Sequence, residues 1–167
     1  NTHSINNGTT GAVHVNASDF TQTAAFVGEA GGAGTVALGA ASDAETFNRN
    51  TQATVGSTTA TKMSLTAGQF DVKAISKQGI STLLIGGQAA GTAAVAAGLS
   101  YINQHSDTSV ALNNLAATTS GTDVEAYHYA SLGEGNNNAG AANNAGIGAS
   151  ISVIADSNTV GVEMNNA

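Results

Sequence analysis

The sequence predicts an all-β protein, a parallel β-solenoid assembled from about three repeat units. Three observations carry this. One phrase recurs: Gly11 to Ala17 (GAVHVNA), Gly68 to Ala74 (GQFDVKA) and Gly121 to Ala126 (GTDVEA), with the central valines Val15, Val72 and Val124 spaced 57 and then 52 residues apart. Apolar residues alternate with polar ones at a period of two, the period of a strand with one buried face. The apolar content is mostly Ala and Val, with four Phe, three Tyr and no Trp. Burying one large side chain contributes about 1.5–3 kcal/mol, so a core of such small residues must be thin and long, summed over many stacked contacts. Stacked rungs provide that; a β-sandwich of the kind found in pilin-like filament subunits is the alternative.

The units follow in order. Residues 1–10 are the end of a preceding repeat or an amino-terminal arm. Unit 1 spans 11–67, with alternating pairs at Val13/Val15, Val36/Leu38, Ala53/Val55 and Met63/Leu65. Unit 2 spans 68–120, with Phe70/Val72, Leu83/Ile85 and Val110/Leu112. Unit 3 spans 121–167, with Ile151/Val153 and Val160/Val162/Met164, and reads as cut short. Thr51–Val55 maps by 57 onto Thr108–Leu112, and Leu99–Ile102 maps by 52 onto Ile151–Ile154. The five-residue discrepancy falls in Gly56 to Lys62, a Gly/Ser/Thr stretch where a loop tolerates insertion. At 52–57 residues each, the repeats predict two or three short rungs per unit, with Gly, Asn, Ser and Thr at the turns. Asn136–Asn138, Asn143–Asn144 and Asn165–Asn166 are candidates for stacked amide ladders. The Ala-rich stretches 86–98 and 135–148 read as rungs or extended segments rather than helices, since each interior Gly costs a helix about 1 kcal/mol.

Composition narrows the function. Four cations (Arg49, Lys62, Lys73, Lys77) against eleven acids give a net charge of −7, which excludes nucleic acid as a partner and disfavours anionic membranes. Leu83–Leu99 is too short and too weakly apolar to span a bilayer. Only 9% of residues are charged, against the roughly 25% of ordinary domains, and a polar but nearly uncharged surface points outside the cell. With no Cys, disulfide and thiolate chemistry are absent. Asn1 reads as an internal or processed start.

Candidate chemistry is sparse. Of His3, His14, His105 and His128, His14 fills the slot held by Asp71 and Asp123 in the other units and reads as an outward strand residue. His105 and Asp107 lack the orienting partner and nucleophile turn of a triad. Gly31–Gly34 is followed neither by Lys-Ser/Thr nor by a helix, so it is no phosphate loop, and it carries no carboxylate for calcium. The pairs Asp43/Glu45 and Asp123/Glu125 read as solvated surface charge, two carboxylates being a weak site for a hard cation. No catalytic residue, cofactor or metal is assigned. Tyr127 and Tyr129, one residue apart on a strand, are either half of a surface binding ladder or one apolar face. Asn7-Gly-Thr9 and Asn16-Ala-Ser18 match the glycosylation acceptor pattern.

Ala145 to Ile154 (AGIGASISVI) followed by Thr159 to Met164 (TVGVEM), with the opening phrases Gly68–Ala74 and Gly121–Ala126, resembles repeats of filamentous-haemagglutinin-like and leukotoxin-like bacterial exoproteins, passengers of type V or two-partner secretion. The resemblance covers about residues 11–167. It implies a right-handed β-helical fibre on a bacterial surface and no catalytic residues; Arg-Gly-Asp and secretion-domain signatures are missing. The expected function is a structural or adhesive shaft segment of a large secreted surface protein. Its expected partners are neighbouring repeats, identical subunits placed end to end, or surface glycans and proteins. A self-assembling pilin-like or biofilm-matrix subunit is the second reading, and a polysaccharide-active β-helix enzyme the third.

Overall fold

The computed structural model of the chain describes residues 4–59 and 62–167. Seven strands account for nearly all of them: β1 (Ser4–Asn6), β2 (Ala12–Ala33), β3 (Val36–Gly56), β4 (Met63–Ala90), β5 (Ala93–Asn113), β6 (Leu115–Ala142) and β7 (Ala145–Asn165). Every pair is parallel. One sheet, here sheet A, has β4 at its centre with β1 and β2 on one edge and β6 on the other; sheet B runs β3-β5-β7. The chain therefore alternates between two sheets, and each β-turn-β passage is one coil of a solenoid. The antiparallel pairings of a sandwich are absent among the described residues.

The repeat offset is the pairing register. Ala12 lies beside Gln69 and Gly56 beside Asn113, an offset of 57 throughout. Met63 lies beside Leu115 and Asn113 beside Asn165, an offset of 52 throughout. The five extra residues sit between Gly56 and Met63, where the first coil needs a loop and the second turns on Asn114 alone. Gly56 has φ +85° and Asn114 φ +48°, left-handed conformations that Gly and Asn adopt most readily.

The rung count differs from expectation: each repeat is one wide coil, not two or three short ones. Strands of 21–28 residues replace the short runs because the Ser, Thr and Gln between apolar pairs stay in the ladder. In a parallel stack the backbone bonds to the rungs above and below whatever the side chain, so a polar residue does not end a strand. The Ala-rich stretches are likewise strand, broken only by turns at Gly91-Thr92 and Asn143-Asn144. Residues 4–6 pair with Ser64–Thr66 and so open the first coil of sheet A.

Between the sheets, inward residues alternate along β4 and β5. An apolar cluster of Val55, Leu65, Phe70, Val72, Val110, Leu112 and Leu115 fills the end where sheet B returns to sheet A. Farther along, the interior is mixed: Ser76, Gln78, Thr82, Ser100, Gln104, Ser106 and Thr108 are buried among Ile80, Leu84 and Ile102. At the far end it thins. A Cβ at Gly86 or at Gly98 would collide with the Asn138 side chain, which lies between the two sheets there. Of the expected amide ladders, Asn165 donates to Asn113 and Asn166 to Asn114, each at 3.0 Å. Asn143–Asn144 forms a turn, and Asn136 and Asn138 lie in β6 with buried amide atoms.

Candidate binding surface

The outward faces carry the exposed side chains. His14 stacks on Asp71 and Asp71 on Asp123, with His14 Nδ1 2.8 Å from Asp71 Oδ2. Beside them Lys73 contacts Asp123 at 2.6 Å and Glu125 at 3.0 Å, and these two carboxylates hold its ammonium pKa above the ordinary lysine value. Asp123/Glu125 thus point to solvent. Asp43/Glu45 do not: both face the interior, with Asp43 Oδ2 and Glu45 Oε2 buried and unpartnered. Burial, then Asp43, then Glu134 push the Glu45 carboxyl above its usual range. The expectation of surface charge fails for this pair because alternation along β3 turns odd-numbered residues inward, as it does Ala41 and Ala53.

His105 lies 3.3 Å from Asp107 on the outer side of sheet B, and its Nδ1 is 3.1 Å from the Ser157 carbonyl oxygen. No serine hydroxyl joins this pair among the described contacts. His128 points inward, within 3.3–3.4 Å of Ser106 and Gln104. His3 lies outside the described residues. Among the described residues no group of three or more His, Asp or Glu side chains is placed to hold a metal ion, and no helix is long and apolar enough to cross a membrane. Asn7, whose amide donates to the Ala12 carbonyl at 2.7 Å, and Asn16 are both exposed.

Tyr127 and Tyr129 both stand on the outer face of sheet A, 51% and 53% exposed. The register brings them residues that spacing along one strand does not reveal: Phe20 lies beside Lys77, and Lys77 beside Tyr129. Next to this column runs Gln22–Gly79–Ser131. Gly79 has no side chain, and over it opens a hollow of about 290 Å³ lined by Phe20, Gln22, Lys77, Tyr129 and Ser131. Phe20 is 71% exposed and Phe26, farther along the same face, 69%. Lys77 makes no ion pair among the described residues.

A second hollow, about 180 Å³ and lined by Phe70, Leu112, Leu115, Ala117, Thr122 and Met164, opens at the edge formed by β6 and β7. It is the apolar cluster seen end-on. No protein-family model, curated protein or solved structure matches this chain.

Proposed function

We propose that the chain is a structural and adhesive shaft segment of a large secreted bacterial surface protein, contributing extension and display rather than catalysis. The observation that carries the reading is the continuity of the inward columns up to the terminal rungs. Ile102 stacks on Ile154, Val110 on Val162 and Leu112 on Met164. The last members of these columns are 43%, 43% and 60% exposed. One more coil in the same register would cover them, close the second hollow, and pair the open backbone edge of β6 and β7, an edge that proteins otherwise protect.

In an array of stacked repeats, stability grows with each nearest-neighbour interface. Duplicating residues 63–114 in frame is expected to add a fourth coil and raise the unfolding midpoint. An unchanged midpoint argues against the shaft. The location is tested separately by antibody labelling of the source cells; labelling only after lysis overturns it.

A second reading, end-to-end assembly of identical chains, is favoured by one specific observation. Stacking the third coil of one copy on the first coil of another sets His128 in line with Asp19 and Asn158 in line with Arg49. Within the chain these columns pass through Ser76 and Ser106. Sedimentation velocity over a wide concentration range decides: a monomer throughout sinks assembly and leaves the shaft standing.

A further inference from the structure

We infer that the hollow over Gly79 on the outer face of sheet A binds an extended neutral oligosaccharide, with pyranose rings stacked on Phe20 and Tyr129. The proposal deepens the adhesive part of the function proposed above and names its ligand class.

The chain has seven aromatic residues, and four of them, Phe20, Phe26, Tyr127 and Tyr129, are exposed on this one face. Large aromatic side chains are the strongest contributors to a core, and this core is short of them, so their placement outside is costly unless they meet a ligand. Phe20 and Tyr129 lie two rungs apart, about 9.6 Å along the solenoid axis, a separation that two linked pyranose units span. The polar groups around them fit hydroxyls: an amide at Gln22, a hydroxyl at Ser131 and an ammonium at Lys77. Lys77, flanked by the two rings, has no carboxylate partner among the described residues. Such mixing of apolar walls with a few convergent polar groups is the pattern of small-ligand sites, as is a volume near 300 Å³.

The class follows from shape and charge. The floor is three parallel strands in one register, rising evenly by about 4.8 Å per rung, so a straight, equatorially linked chain keeps step with it and a curved one does not. A net charge of −7 repels a polyanion, and one lysine does not reverse that field. A protein partner is disfavoured at the hollow itself, because lysine is depleted at the centres of protein interfaces and stable ones bury about 800 Å² per side.

The test uses cellohexaose and chitohexaose as straight probes, maltohexaose as a curved probe and polygalacturonate as a polyanion, with titration calorimetry and saturation-transfer NMR. Binding of at least one straight probe is expected, with transfer to the ring protons of Phe20 and Tyr129 in the unaltered protein. Tyr129→Ala and Phe20→Ala should each weaken it tenfold or more, and Tyr129→Phe by no more than about threefold. Tyr101→Ala on the opposite sheet should leave it unchanged. Preference for maltohexaose or polygalacturonate, failure to bind any probe, equal loss in Tyr129→Phe and Tyr129→Ala, or a face-to-face dimer abolished by Tyr129→Ala would each overturn the proposal. None of these outcomes bears on whether a fourth coil stabilises the stack, so the two proposals fail separately.

Discussion

The two halves of the interior differ in how much polar side chain they bury. Near Gly56, Met63 and Asn114, Phe70, Val72, Val110 and Leu112 pack into an apolar cluster. Beyond Ala74 the same two strands bury Ser76, Gln78, Thr82, Gln104 and Thr108 between Ile80, Leu84 and Ile102, and several of the Oγ, Oγ1 or side-chain amide atoms have no hydrogen-bond partner. Arg49 and Asp19 form an ion pair within the first coil, and Ser100 hydrogen-bonds Glu134. One backbone architecture supports both halves because its ladder bonds run between rungs, independent of what lies inside. The difference is energetic. In the apolar half side chains add to the stability of the ladder; in the polar half an unpartnered buried group subtracts about 1–3 kcal/mol.

Four substitutions sharpen that contrast. Phe70→Ala removes the largest fully buried side chain and should cost about 3–5 kcal/mol, read from chemical denaturation; a loss below about 1 kcal/mol would erase the distinction between the halves. Thr82→Val replaces an unpartnered hydroxyl, 1% exposed, by a methyl of like shape. It should stabilise by about 1 kcal/mol, whereas a comparable loss would show the hydroxyl to be satisfied.

Glu45 tests the polar half by pH. Its carboxyl pKa in the fold lies above the ordinary 4.5, chiefly through burial and then through Asp43 and Glu134. The folded state therefore holds the proton more tightly than the unfolded chain does. The destabilisation from ionised Glu45 is fully present above the raised pKa and is relieved as pH falls through it towards 4.5. Midpoints measured between pH 7.5 and 5 should rise towards pH 5, and Glu45→Gln should flatten that slope; an unaltered slope would place its origin elsewhere. The smallest effect is expected from Tyr127→Ser on the outer face, within about 0.5 kcal/mol, since that ring packs against neither interior half.

Much of this arrangement is legible in the sequence, and its limits are physical. The offsets of 57 and 52 are the register, because like residues stack when every strand is parallel. His14, Asp71 and Asp123 sit in one column for that reason. The same arithmetic places Phe20 on Lys77 on Tyr129, although spacing along a single strand singles out only Tyr127 and Tyr129. What the sequence does not disclose is strand length. Apolar alternation marks the buried face at Phe70/Val72 and Val110/Leu112, but at Val36/Leu38, Leu83/Ile85 and Ile151/Val153 it marks the outer one. It falls silent across Ser76, Gln78, Gln104 and Thr108, where the strand continues regardless. The inward turn of Asp43 and Glu45 is hidden by the same silence, since a carboxylate facing the interior runs against the usual cost of burying charge.

The width of the coil has a mechanical consequence. Strands of 21 residues run about 70 Å, while sheets pack about 10 Å apart and rungs rise about 4.8 Å. A stack of such coils is a tape, not a rod. For a rectangular section of those proportions, resistance to bending scales with the square of the aspect ratio, roughly fifty times greater edgewise than across the thin direction. A long stack would flex towards either sheet face and hold straight in its own plane. The outer face bearing Phe20 and Tyr129 is therefore one that can be laid, by bending, against a broad surface.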